Sequence, residues 1–205
     1  MKKRIINIIL ALAIVLSAVA MASCSATAPD IEDLRDRFIY LIEGSKELNV
    51  IYFGKGLPTY KREDTLSGEL GIYYNDELVT YDKVMECSKY ISIDEIKKRS
   101  EEIYSTEYLS ALYETAFDGF VTGGSSAYLR FYESADWIYQ NTYATDFALE
   151  ERIYDYSSMT IVKPSNSEYV NITVNSYTVG STSAKEISLT FVYERGSWYL
   201  DSPTY

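Results

Sequence analysis

The hydrophobic residues in the first half of the chain follow a helical period. The first group has the spacing of one helix face and comprises Ile31, Leu34, Phe38, Leu41 and Ile42. Asp30 precedes this group and is a favoured N-cap residue, while Gly54 is a favoured stop at a helix C-terminus. The sequence therefore predicts a helix that begins near Asp30 and ends before Gly54.

Two further helices are predicted between residues 92 and 119. Ser92 and Glu95 have the spacing of a capping box, in which the two residues satisfy each other's backbone N–H groups. A break near Ser105 separates this helix from the next, which ends at Asp118-Gly119. Residues 54–70 carry glycines, a proline and charges and predict a long loop, followed by a short hairpin of residues 71–74 and 78–81.

After Gly124 the period becomes two, which is typical of strands with one buried face. Residues 127–132 and 137–140 predict a hairpin, and residues 153–163 predict a strand that is either broken or bulged near Ser157-Ser158. The last strands fall within 170–177, 187–193 and 197–200, and we expect Trp198 to be buried under the helices. This order predicts an α+β fold, with N-terminal helices packed on a curved antiparallel sheet formed mainly by the C-terminal half.

The N-terminus has the pattern of an export signal. Three basic residues at positions 2–4 precede an apolar run over 5–20, which is short for a transmembrane helix of about 20 apolar residues. Met21-Ala22-Ser23-Cys24 resembles the lipobox of bacterial lipoproteins, which implies a diacylglycerol on Cys24. We expect a signal peptide over 1–23, a lipidated tether over 24–29 and a single domain over 30–205, held on the outer face of the bacterial cytoplasmic membrane.

Composition excludes several kinds of catalytic site. The chain has no histidine, so it cannot form a Ser-His-Asp triad, a Cys-His pair or a His-ligated zinc site. Cys87 is the only cysteine besides Cys24, so lipidation of Cys24 leaves no intramolecular disulfide. Unpaired cysteines are often buried, and we therefore expect Cys87 in the core; the alternative is a thiol that joins another chain.

The acidic residues do not point to a catalytic pair. Glu101-Glu102 and Glu150-Glu151 are adjacent in sequence, so the side chains of each pair diverge, and no Asp-x-Asp-x-Asp calcium loop occurs. We expect no enzymatic activity, no metal and no cofactor. Without the signal peptide 16 basic and 30 acidic residues remain, and a net charge of −14 makes nucleic acid an unsuitable partner.

Tyrosine is unusually frequent, with 21 residues against seven phenylalanines and two tryptophans. Tyr128 and Tyr132 share one predicted strand face, and Trp137 and Tyr139 follow on the next strand. These four residues are the predicted binding residues, as an aromatic platform for a sugar or a protein partner. Packing of half-buried tyrosines on a sheet would produce the same pattern.

The C-terminal hairpin, residues 186–205, resembles the last two strands of secreted nuclear-transport-factor-2-like (cystatin-like) proteins. The DL-endopeptidase inhibitor family is similar to this chain at Phe53-Gly-Lys-Gly-Leu-Pro58, at residues 103–109 and at residues 198–205. Members of that family restrain cell-wall peptidases by binding them. The resemblance therefore implies a non-enzymatic lipoprotein that binds an extracellular protein, such as a cell-wall hydrolase.

Two alternatives belong to other classes of function. The first is a module that binds a small ligand or glycan in a tyrosine-lined cavity of the nuclear-transport-factor-2-like cone. The second is a cavity enzyme, such as a dehydratase or isomerase, with a polar Asp/Tyr set inside the cone. A deep pocket would favour these two, whereas a filled cone with an exposed acidic or aromatic face would favour the protein-binding function.

Overall fold

The computed structural model describes residues 28–60, 69–74, 77–118, 120–122, 125–127, 129–141, 149 and 151–205. Cys24, the predicted signal peptide and Tyr128 lie outside these residues. The helices are α1 (Ile31–Tyr52), α2 (Ile93–Ile103) and α3 (Thr106–Tyr113), and α3 continues into a π-helical turn, Glu114–Asp118. Antiparallel strands from mostly the C-terminal half complete the fold, so the predicted α+β class is confirmed.

The strands form separate sheets rather than the one sheet that the sequence predicted. The first sheet has the order β1-β2-β6-β5, with strands Glu69–Tyr74, Glu77–Lys83, Trp137–Asn141 and Phe131–Ser134. The second sheet has the order β10-β9-β8-β7, with strands Ser197–Leu200, Lys185–Glu194, Tyr169–Thr178 and Arg152–Val162. A two-stranded pair joins β3 (Phe120–Thr122) and β4 (Ser125–Ala127).

Helix α1 begins where the sequence predicted and packs on the second sheet. The Asp30 carboxylate accepts a hydrogen bond from the Glu32 N–H at 3.0 Å. In the core, the Phe38 ring stacks on Phe191 with 3.8 Å between centroids, and Trp198 meets Phe38 edge-on at 5.9 Å. Trp198 is only 8% exposed, which confirms its predicted burial. These contacts make the inner face of the second sheet the centre of the hydrophobic core.

Strand β7 is bulged, as the sequence predicted. Its pairing with β8 shifts register between Asp155 and Thr160. Within the bulge, the Tyr156 carbonyl accepts a hydrogen bond from the Arg35 guanidinium of α1, and the Tyr156 hydroxyl donates to Glu43 of the same helix. The bulge therefore interrupts an edge strand and attaches it to α1.

Arginines from distant parts of the chain satisfy the carbonyls at two helix ends. Neither α1 nor α2 has a basic residue in its last turn. Arg130 donates to the carbonyls of Ile51, in the last turn of α1, and of Gly54, just after the helix. Arg195 donates to the carbonyls of Glu101 and Tyr104 at the end of α2. Both cations thus lie at the negative end of a helix dipole.

The continuous strand predicted over residues 127–132 is wrong. Strand β4 ends at Ala127 and β5 begins at Phe131. Between them, Arg130 is buried, and burial lowers its pKa to about 10, so the guanidinium stays charged at neutral pH. A buried cation needs hydrogen-bond partners, and Arg130 turns inward to reach the backbone carbonyls that follow α1.

Polar side chains inside the fold bind one another. Asn49 of α1 donates to the Thr204 hydroxyl at 2.8 Å and accepts from Tyr104 at 3.2 Å, and the Ser45 hydroxyl lies 2.6 Å from that of Thr204. The Tyr154 hydroxyl donates to the Thr204 carbonyl. This network fills the interior with satisfied polar groups and holds the last residues of the chain against α1.

Candidate functional site

Three of the four predicted binding residues lie on one face of the β5–β6 hairpin. Tyr132 and Tyr139 are opposite each other in the register, and Trp137 follows the turn two residues before Tyr139. Trp137 is 36% exposed, whereas both tyrosines are half-buried. The Tyr132 ring lies 6.3 Å from the ring of buried Tyr81. The tyrosines therefore serve sheet packing as well, and Trp137 is the accessible member.

Lys83 of β2 lies on the ring of Trp137. It pairs with Tyr139 in the register of β2 and β6, and its ammonium nitrogen is 3.1 Å from the Trp137 ring centroid. Its side chain is only 17% exposed, and the ammonium is 3.3 Å from a Glu86 carboxylate oxygen. A partly desolvated cation over an indole is attracted by the negative face of the ring. This contact fixes the orientation of Trp137.

Tyr60 and Glu86 complete the polar side of this cluster. The Tyr60 hydroxyl donates to the second carboxylate oxygen of Glu86, and the Lys83 ammonium lies 5.8 Å from the Tyr60 ring centroid. The hydrogen bond from Tyr60 lowers the pKa of Glu86 and raises the pKa of the Tyr60 hydroxyl. Glu86 therefore stays ionised at neutral pH and balances the charge of Lys83.

A groove of about 240 Å³ opens beside Trp137. We call it the Trp137 groove, and its apolar lining consists of Val84, Met85, Ile91, Trp137 and Ile138. Ile91 is 55% exposed and lines the same groove as the exposed Trp137, so two large apolar side chains are accessible to solvent at one site. The carboxylates of Glu86 and Asp136 also line the groove. The arrangement suits an apolar group that carries a positive charge at its edge.

A hairpin turn positions one side of the Trp137 groove, and backbone hydrogen bonds position the other. Ala135 and Asp136 both have positive φ, at 49° and 68°, which is the backbone of a two-residue hairpin turn. This turn places Trp137 at the first position of β6. On the other side, residues 58–60 run along β2, because the Met85 N–H binds the Pro58 carbonyl at 2.9 Å and Tyr60 pairs with Lys83.

The glycine motif at residues 54–56 has a structural role. The Gln140 amide accepts from the Leu57 N–H at 2.7 Å and donates to the Lys55 carbonyl at 3.0 Å. Gly56 has a φ of 77°, and a Cβ there would lie 2.1 Å from the Gln140 side-chain oxygen. Only glycine fits so close to Gln140, and this segment leads the chain to Tyr60.

The predicted burial of Cys87 is wrong. Cys87 is exposed on the turn after β2, where the Ser88 N–H binds the Met85 carbonyl at 2.9 Å. At this turn the chain leaves the sheet and starts toward α2, so no second layer covers the thiol. The position of the turn, rather than the general preference of cysteine for the core, determines that Cys87 is exposed.

The acidic residues of the described chain are on the surface. Glu102 pairs with Arg99 at 2.7 Å, Glu101 and Glu151 are exposed, and Glu150 lies outside the described residues. In the part of the chain that the structure describes, no group of three or more metal-ligating side chains is close enough to hold an ion. Among those same residues, no helix combines the length and apolar run needed to cross a membrane.

Sequence reasoning found Trp137 but missed its neighbours Lys83, Met85 and Ile91. The alternating period of a strand places Lys83 on the same face as Tyr81, and this periodicity was the available signal for including Lys83 in the site. It does not say that β6 pairs with β2 across more than fifty residues, and that pairing is what brings Lys83 to Trp137. Neither known protein families nor curated proteins give a match to this chain.

Proposed function

We propose that this protein is a non-enzymatic lipoprotein on the outer face of the bacterial cytoplasmic membrane, where it binds and restrains a basic cell-wall peptidase. The observation that carries the proposal is the Trp137 groove, in which an oriented tryptophan and an exposed isoleucine flank an apolar depression. Tryptophans at the centre of such depressions dominate many protein interfaces. Met85 in the lining adds a flexible side chain that adapts to different partners.

The charge of the protein supports a basic partner. The chain without its signal peptide has a net charge of −14, and two acidic residues, Glu86 and Asp136, line the groove, where Lys83 balances the charge of Glu86. Electrostatic attraction of this kind raises the association rate, while the buried apolar contacts slow dissociation. The partner segment should therefore combine an apolar side chain with a neighbouring lysine or arginine.

The alternative of a tyrosine-lined cavity for a small ligand has weaker support. The hydroxyls of the interior tyrosines Tyr104 and Tyr154 donate hydrogen bonds to the Asn49 side chain and to the Thr204 carbonyl, respectively. Within the described residues, Ser88 Oγ is the one buried side-chain oxygen or nitrogen without a hydrogen-bond partner. Polar groups that already satisfy one another have little capacity left for a ligand.

The test measures peptidoglycan hydrolysis by purified basic cell-wall endopeptidases with and without the full-length protein in detergent. We expect inhibition at low salt that weakens above about 0.15 M ionic strength, where the Debye length is about 8 Å. Replacing Trp137 or Ile91 by Ala should weaken inhibition at least about tenfold, because each removes a central apolar contact.

Ile153→Ala is the matched control for Ile91→Ala. Both isoleucines are 55% exposed, but Ile153 lies on β7 of the second sheet. The control should inhibit like the parent. Equal inhibition by all three variants would disprove the groove as the binding site, and no inhibition of any peptidase would disprove the function. A small molecule that co-purifies with the protein would support the ligand-binding alternative.

The anchor has a separate test. Cys24→Ala should release the protein from the membrane fraction, because the lipid supplies the attachment and a domain with a net charge of −14 is repelled by anionic lipids. Cell fractionation followed by immunoblotting measures the distribution. Ser25→Ala is the control and should stay with the membrane. Retention of Cys24→Ala at the parental level would contradict the lipoprotein assignment.

A further inference from the structure

The start of α1 lies at one end of the second sheet. It is beside the start of β10, because the Arg37 guanidinium donates to the Trp198 carbonyl at 2.8 Å. The turn between β7 and β8 and the turn between β9 and β10 meet at this same end, where the Tyr193 N–H binds the Glu168 carbonyl at 2.6 Å. We call the start of α1 and these two turns the proximal end, since the predicted lipid tether leads into it.

The Trp137 groove lies toward the other end of α1. Tyr90, which directly precedes Ile91 of the groove lining, donates to the Glu47 carboxylate at 2.8 Å. At a rise of 1.5 Å per residue, Glu47 is about 25 Å along the helix axis from Asp30. The groove is therefore separated from the proximal end by about 25 Å along α1.

The predicted tether is shorter than this separation. From the lipidated Cys24 to Asp30 the chain can span at most about 20 Å when fully extended. An inverted domain, with the groove on the bilayer, would place the start of α1 about 25 Å above the surface, which exceeds the reach of the tether. A domain lying on its side would bring more of its surface to anionic lipids, and the net charge of −14 opposes that approach.

We infer that the anchored protein stands with its proximal end toward the membrane and presents the Trp137 groove to partners about 25–45 Å above the bilayer. The lower limit is the distance along α1, and the upper limit adds the extended tether. This orientation rests on the lipid anchor of the proposed function and narrows the class of partner. The peptidase is one that works in the space next to the membrane, because a groove at this height does not reach an enzyme bound further out in the wall.

Energy transfer from the protein to a lipid-bound acceptor measures the orientation. The full-length lipidated protein is reconstituted in vesicles of phosphatidylcholine and phosphatidylglycerol that carry an acceptor dye on a lipid headgroup. Cys87 takes the donor dye, since it is exposed next to Glu86 of the groove lining and lipidation blocks the thiol of Cys24. In a Cys87→Ser background, Ser167→Cys places the donor on the exposed turn at the proximal end.

We expect strong transfer from position 167 and weak transfer from position 87, with apparent distances to the bilayer that differ by about 25 Å. Ser183→Cys in the same background is the matched control, on the exposed turn between β8 and β9. Strand β8 leads about 30 Å away from the proximal end, so this label should also give weak transfer. The inference is overturned if position 87 or position 183 transfers as strongly as position 167.

Two further measurements separate the orientation from the proposed function. Vesicle flotation tests the anchor alone, and a protein that does not float with the vesicles disproves both the anchor and the orientation. Vesicle-bound protein should inhibit the peptidase as strongly as the protein in detergent, because the bilayer leaves the groove accessible. Loss of inhibition in vesicles alone overturns the orientation. Absence of inhibition in both media disproves the peptidase function, while energy transfer still decides the orientation.

Discussion

The two four-stranded sheets differ in which of their aromatic side chains are buried and which are exposed. The second sheet has its inner face covered by α1, and its side chains alternate cleanly between buried and solvent-facing positions along β8. The first sheet places the exposed Trp137, at the start of β6, beside the mostly buried Lys83 of β2. Phe191 and Trp198 of the second sheet are buried in the core, as are Tyr81 and Phe131 of the first sheet, whereas Trp137 of the first sheet is exposed to solvent. The position of an aromatic residue in the layers, rather than its type, decides its role.

The tryptophans give the largest expected difference between the sheets. Trp198→Ala should cost about 3–5 kcal/mol of unfolding free energy, because it removes a ring that packs on Phe38 and Tyr193. Trp137→Ala should cost about 1 kcal/mol or less, as a partly exposed residue. Urea denaturation measures both values. Acrylamide should quench the remaining fluorescence weakly in Trp137→Ala and strongly in Trp198→Ala, and the reverse order would contradict the comparison.

The cap of α2 gives an intermediate effect. The Ser92 hydroxyl accepts from the Glu95 N–H at 3.1 Å, which confirms the predicted N-cap, while Glu95 reaches the Ile91 N–H at 2.8 Å rather than that of Ser92. Ser92→Ala should cost about 1 kcal/mol, measured by chemical denaturation. Ser110→Ala, on the exposed side of α3, is the control and should change stability by about 0.5 kcal/mol or less.

The same cap also touches the first sheet, because the Ile93 N–H donates to Glu133 of β5 at 3.3 Å. Ser92→Ala should nevertheless leave peptidase inhibition unchanged, because Ser92 is not among the residues that line the groove. An unchanged midpoint in Ser92→Ala would mean that the helix does not depend on this cap.

The smallest expected effect concerns the ion pair between Glu47 on α1 and Lys89 in the segment that follows β2 of the first sheet. Burial raises the pKa of Glu47, but hydrogen bonds from Lys89 and Tyr90 outweigh burial and lower the pKa below the ordinary value of 4.5. A lowered carboxylate pKa contributes stability above pH 4.5 and loses it as the pH falls through the folded-state pKa. The Lys89 side chain is 65% exposed and the Glu47 side chain 30%, so the contribution of the pair should stay below about 1 kcal/mol.

Denaturation of the parent and Glu47→Gln between pH 3 and pH 7 measures this contribution. We expect Glu47→Gln to be less stable than the parent at pH 7 and to lose less stability on acidification. Glu107→Gln, an exposed position on α3, is the control and should follow the parent. Identical pH profiles for parent and Glu47→Gln would show that this contact does not link α1 to the segment after the first sheet.

Local chemistry made much of the fold predictable. The N-cap at Asp30, the helix start at Ser92 and the bulge in β7 each depend on residues close in sequence, and the structure has all three. The errors concern the single sheet, which is divided into separate sheets, and the positions of Arg130 and Cys87. Arg130 breaks a predicted strand to reach carbonyls after α1, and Cys87 lies on a turn that no second layer covers. Both outcomes depend on parts of the chain that are distant in sequence.

By itself, the sequence determined the α+β class, the helix starts, the burial of Trp198 and the shared face of Trp137 and Tyr139 on one strand. These features follow from periodicity and capping, which act over a few residues. Only the tertiary structure decided that strands form two sheets and that Lys83 lies on Trp137. The physical reason is that strand order and register join residues far apart in the chain, and side-chain periodicity carries no information about which strands pair.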